Sequence, residues 1–116
     1  MTERPIIWIG DSKKQLMNFP KEVMVQIGYA LGEAQNGRKA DYAKPLSGLE
    51  AGVLEIVADH NTDTYRAVYA VKLGQDLYVL HAFKKKSKSG ISTPKKEIDL
   101  VRERLKKLKA QLKEDQ

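Results

Sequence analysis

The sequence predicts an α+β domain, a small and mostly antiparallel sheet flanked by helices in the order β-α-α-β-β-β-α. Three strand-like runs lie between residues 53 and 84 with only short connections, which implies an antiparallel meander. Helical patterns precede and follow them. A length of 116 residues fits one domain, read here as residues 1–116 with a basic C-terminal helix at about 94–112.

The elements follow in order. "IIWI" (6–9) reads as a short buried strand ended by Gly10-Asp11. Asp11 or Ser12 can cap a helix that carries Leu16 and Met17 and ends near Phe19, because Pro20 disfavours helix in the residue before it. Pro20 can open a second helix, with Val23, Ile27, Ala30, Leu31 and Ala34 as its apolar stripe and Asn36-Gly37 as its stop. Residues 38–52 form a polar loop, long enough for a role of its own. "VLEIVADH" (53–60), "TYRAVYAV" (64–71) and "DLYVLHAFK" (76–84) are the meander, joined by "NTD" and by a turn around Gly74. After the linker "SKSGIS", Thr93-Pro94 starts a helix whose seam is Ile98, Val101, Leu105, Leu108 and Leu112.

Apolar residues make up 41% and charged residues 31%, a composition that folds. The absence of cysteine excludes a disulfide framework, a thiolate metal site and a thiol nucleophile. No apolar run is long enough to span a bilayer, and the start does not read as a signal peptide, so a cytoplasmic protein is expected. No cofactor and no metal cluster is implied.

The net charge of +6 is unevenly placed. Residues 1–80 hold nine Lys and Arg against ten Asp and Glu, whereas residues 81–116 hold twelve against five. The excess therefore lies in the last third, either as a solvated helix face or as a field that steers toward phosphates or an acidic partner. "YVLHAFKKKSKSG" (78–90) concentrates the problem, since an apolar strand runs into Lys84, Lys85, Lys86 and Lys88. Like charges this close call for compensation, and a polyanion can supply it.

The stretch "PLSGLEAGVLEI … YRAVYAV … LYVLHAFKKKSKSGISTPKKEIDLVRERL" resembles the RelE/HigB-type toxins of bacterial toxin–antitoxin systems, in their phage-derived branch. The resemblance covers residues 5 to 108 and rests on the order and spacing of "YRAVY", "LHAFKKKSK" and "TPKKEIDLVRERL". It implies a compact sheet flanked by helices, cleavage of mRNA on the ribosome, and restraint by a helix-turn-helix antitoxin, with operator DNA bound only as a complex with that antitoxin. One departure stands out: Val57 occupies the place where the branch typically carries an arginine. The tyrosine that some members carry near the C-terminus has no match.

RNA is cut without a metal when its 2′-hydroxyl attacks the neighbouring phosphate. An enzyme then takes the 2′ proton, stabilises the phosphorane and protonates the leaving 5′ oxygen. The expected catalytic set is Arg66, His81, Lys84 and Lys85, with Lys86, Lys88, Lys44 and Arg38 as RNA contacts. Alternation predicts that Leu77, Val79, His81, Phe83 and Lys85 share one face of the last strand, with Tyr78, Leu80, Ala82, Lys84 and Lys86 on the other. On the middle strand Arg66 goes with Val68 and Ala70. Arg66 either binds phosphate or bridges to Glu55 on the neighbouring strand. His81 suits proton transfer, though strand histidines also serve as structure. His60, at a hairpin turn, reads as exposed. The other functional classes are a ParE-like gyrase-inhibiting toxin, a degenerate homologue that only binds its antitoxin, and a general nucleic-acid-binding module.

Overall fold

The computed structural model describes residues 3–86 and 92–114. Strand β1 (Ile6–Trp8) leads to helices α1 (Ser12–Met17) and α2 (Lys21–Gln35). Strands β2 (Ala43–Pro45), β3 (Val53–His60), β4 (Asp63–Ala70) and β5 (Leu77–Lys86) follow, and helix α3 (Lys95–Glu114) closes the chain.

The α+β class agrees with the sequence, but the element order does not. The polar 38–52 segment contains the short edge strand β2, which pairs antiparallel with β3. Three residues ending in a proline carry no readable alternation, and proline is tolerated there because β2 is an edge. The sheet therefore has five strands in the order β1-β5-β4-β3-β2. It is mixed, because β1 lies parallel to β5 while the other pairs are antiparallel.

Both faces of the sheet are covered, which explains why β4 and β5 are buried almost without interruption. On one face Val23, Ile27, Ala30, Leu31 and Ala34 of α2, with Leu16 of α1, pack against Ile56, Ala58, Tyr65, Ala67, Tyr69, Leu77, Val79 and Ala82. On the other, Val101, Leu105 and Leu108 of α3 pack against Val53, Val68, Ala70, Tyr78, Leu80 and Phe83. Each fully buried aliphatic side chain contributes about 1.5–3 kcal/mol relative to exposure.

Three local expectations need correction. The β3–β4 turn contains only Asn61 and Thr62, both at positive φ (48° and 69°), so β4 begins at Asp63. Pro20 stands just before α2 and not as its first residue. Neither candidate caps α1 through its side chain. Asp11 instead accepts hydrogen bonds from Arg104 (2.7 Å) and Gln15 (3.1 Å), and Ser12 Oγ donates to the main-chain oxygen of Val79 (3.1 Å).

The feature that positions the candidate site is a bulge in β5. Val68 faces His81 across the β4–β5 ladder, but the next rung joins Tyr69 to Val79. Leu80 is the extra residue. Strict alternation therefore fails as the sequence had it: Leu77 and Val79 face α1 and α2, while His81, Phe83 and Lys85 emerge on the α3 face. Arg104 of α3 donates to the main-chain oxygen of Leu80 at 2.8 Å, serving a carbonyl at the break in the ladder.

Candidate functional site

Four strands contribute to one end of the α3 face. The register sets Lys44 of β2 opposite Glu55 of β3, Val57 of β3 opposite Arg66 of β4, and Arg66 opposite Phe83 of β5. His81 and Lys85 stand two residues either side of Phe83 on the same face. The start of α3 and the residues before it lie over this end, bringing Ser92, Thr93 and Glu97 within reach.

At its centre is a buried ionic network. Arg66 is 4% exposed and Glu55 1%. Arg66 Nη1 donates to Glu55 Oε1 and to Thr93 Oγ1, both at 2.9 Å, and Thr93 Oγ1 donates to Glu55 Oε2 at 2.6 Å. A buried guanidinium and carboxylate each demand such partners, because an isolated charge in the interior costs several kcal/mol. The bridge between Arg66 and Glu55 that the sequence allowed is therefore present.

A pocket of about 360 Å³ opens beside this network, lined by Lys44, Ser47, Glu55, Arg66, Thr93 and Ile98 among others. Ile98 belongs to the apolar seam of α3, but at this end it lines the pocket, and Val101, Leu105 and Leu108 form the buried part.

Lys85 is 4% exposed and donates from Nζ to the main-chain oxygen of Ser92. Burial, and then the positive charge of Arg66, hold its amine below the ordinary lysine value. Glu55 acts in the opposite direction and Lys44 adds to the lowering.

His81 is 6% exposed. Its ring stacks on Phe83 with centroids 5.0 Å apart, and Nε2 lies 3.1 Å from Glu97 Oε1. Among the described residues Nδ1 has no hydrogen-bond partner.

The remaining candidates lie elsewhere. Lys84 is on the opposite face, next to Tyr65, and forms an ion pair with Asp63 at 3.2 Å that raises its amine above the ordinary lysine value. Lys86 is exposed and pairs with Asp63 in the ladder register. Arg38, past the end of α2, forks onto Glu33 through Nε and Nη2 at 2.8 and 3.3 Å. Lys88 lies outside the described residues. The structure thus brings together Arg66, His81, Lys85 and Lys44 and separates them from Lys84, Lys86 and Arg38.

Glu97, Thr93 and Ser92 are additions that the sequence reading missed. Their signal was faint. Thr93-Pro94 marked a helix start, and the helix's first-turn acid is Glu97, but nothing in the spacing showed which strand that turn would meet. The crowding of lysines is relieved inside the chain: the pleat sends Lys84 and Lys85 to opposite faces, and Asp63 and Ser92 take their ammonium groups.

Among the described residues no helix is long and apolar enough to cross a membrane. Comparisons with curated proteins and with solved structures returned no match. A family described as "Phage derived protein Gp49-like (DUF891)" matches residues 14–106, a span that includes α2, the whole meander and the first half of α3. The chain belongs to this phage-derived Gp49-like family.

Proposed function

We propose that the protein is the toxin of a toxin–antitoxin pair and a metal-independent endoribonuclease that cleaves mRNA on the ribosome. The observation that carries this reading is the juxtaposition of Arg66, Lys44, Lys85 and His81 on one sheet face, beside an open pocket. Two cations lining the pocket, Lys44 and Arg66, suit a phosphodiester, and the buried Lys85 and His81 on the same face suit proton movement. In this reading the 2′-oxygen attacks phosphorus, the P–O5′ bond breaks, and a 2′,3′-cyclic phosphate and a 5′-hydroxyl result. His81 takes the 2′ proton once the bound RNA has uncovered its ring, which is buried in the free chain. Arg66 stabilises the phosphorane. Lys85, whose amine is already inclined to release its proton, protonates the departing 5′ oxygen, and Lys44 holds the phosphate. Lys84, on the opposite face, joins Lys86 and Arg38 as an outer RNA contact, and Lys88 keeps its expected part as an RNA contact.

The implied partners are a helix-turn-helix antitoxin, the ribosome with its mRNA, and operator DNA through the antitoxin complex. The implied location is the cytoplasm. A second reading has its own observation: Arg66 Nη1 is already engaged by Glu55 and Thr93, and Val57 stands across from it where the resembling branch carries an arginine. In that reading the chain binds its antitoxin and no longer cuts.

Induction in a host lacking the antitoxin tests both. Translation arrest within minutes, with mRNA fragments ending in 2′,3′-cyclic phosphates, is the expected result. Continued protein synthesis with gyrase-linked DNA breaks would replace the ribonuclease by a ParE-like activity. Harmless expression together with tight antitoxin binding would favour the second reading.

A further inference from the structure

We propose that Glu97 is a positioning residue: it fixes His81 in the tautomer that carries its proton on Nε2 and its lone pair on Nδ1. The catalytic part of this inference rests on the reading that His81 moves a proton, whereas the tautomer stands on geometry alone.

The bulge in β5 makes the contact possible. Without Leu80 as the extra residue, His81 would face α1 and α2 and could not meet α3. With it, Nε2 comes to 3.1 Å from Glu97 Oε1, three residues into α3. A carboxylate only accepts hydrogen bonds, so Nε2 must donate. The N-terminal turn of a helix also favours negative charge at this position. Stacking on Phe83 holds the ring plane, and burial removes water as a competing partner. A proton on Nδ1 would sit on a buried nitrogen with no acceptor among the described residues, and an unsatisfied buried donor is disfavoured. Glu97 therefore determines which nitrogen is basic as well as where the ring lies.

Long-range ¹H–¹⁵N spectra of the uniformly labelled protein read the tautomer directly, and a His60→Gln variant assigns the two histidine rings. The expected spectrum has a pyridine-like Nδ1 and a pyrrole-like Nε2 on His81. Glu97→Ala should shift both signals toward the average of two exchanging tautomers. Glu97→Gln, which still presents an acceptor oxygen, should restore the wild-type pattern. A wild-type spectrum with the proton on Nδ1 would overturn the proposal, as would unchanged His81 shifts in a folded Glu97→Ala protein. Single-turnover mRNA cleavage gives the second readout. Glu97→Ala should lower the rate on the order of 10²-fold, the scale of a positioned proton-transfer group, with unchanged RNA affinity and partial recovery in Glu97→Gln. Cleavage at the wild-type rate in Glu97→Ala would overturn the catalytic part. If the wild-type protein shows the expected tautomer but cuts no RNA, the ribonuclease reading falls and the positioning of His81 by Glu97 stands.

Discussion

Arg104 of α3 donates to the main-chain oxygen of Leu80 at 2.8 Å, and this bond ties the last helix to the irregular point of the β4–β5 ladder. The same guanidinium reaches Asp11 at 2.7 Å, which keeps the Asp11 carboxyl below its ordinary value. Arg104 thus joins α3, the bulge and the start of α1. Whatever His81 does depends on this junction, because the bulge turns His81 toward α3.

Arg104→Ala should destabilise the fold by about 1–3 kcal/mol, the cost of leaving a partly buried carbonyl unpartnered. Gly10 lies against the guanidinium at a φ of +56°, and a Cβ there would come within 2.8 Å of Arg104 Cζ. Gly10→Ala should therefore also destabilise, and less so in the Arg104→Ala background, where the steric part is gone. Urea midpoints of the two single variants and the double variant measure the coupling. Strict additivity would show that the two residues act independently.

The Arg66–Glu55 bridge makes opposite predictions for breaking and for replacing it. Glu55→Ala leaves a buried guanidinium without its carboxylate and should cost about 3–5 kcal/mol. Glu55→Leu combined with Arg66→Met removes both charges and should recover most of that loss. Denaturant unfolding of the three proteins tests the contrast. A double variant as unstable as Glu55→Ala would mean that the network holds the sheet by more than charge compensation.

The amine of Lys85 is held below the ordinary value of 10.5, first by burial and then by Arg66. The unfolded chain consequently binds this proton more tightly than the folded one. The stability contributed by the site should rise as pH climbs through the lowered folded value and level off above about 10.5. Lys85→Met abolishes the titration, so the stability of the variant relative to wild type should be greatest at neutral pH and shrink as pH rises. A difference that is flat from neutral pH to about pH 10.5, measured by urea midpoints, would show that Lys85 keeps an ordinary affinity for its proton.

Adjacent lysines on β5 should separate cleanly in function. If the α3 face is the reactive one, Lys85→Ala should slow mRNA cleavage on the order of 10²-fold, as for the loss of a donor to developing charge. Lys84→Ala, on the opposite face and paired with Asp63, should leave the rate within about a factor of two, as exposed changes away from a site usually do. Equal loss in both variants would point to bulk charge rather than to a site.

The helical stripes of α2 and α3 and the two hairpins were legible because burial against a single partner layer imposes a period that survives in the residues themselves. The run of Val23, Ile27, Ala30, Leu31 and Ala34 is buried as the period requires. Strand β2 was not legible, since three edge residues need no pattern of their own and are held by pairing with β3. The pairing of Arg66 with Glu55 was accessible because the two positions stand on neighbouring strands of a hairpin.

What the sequence determined by itself was local: the helices and the strands other than β2, where the positive charge gathers, and that Arg66, His81 and Lys85 stand on adjoining strands. Tertiary structure decided which of them meet. One extra residue at Leu80 reverses the alternation of β5, carries His81 and Lys85 to the face of Arg66, and leaves Lys84 behind. A bulge has no fixed signature in an apolar strand, because Leu80 would fit either face. Only the ladder with β4 and the Arg104 bond from α3 select the conformation in which His81 finds Glu97.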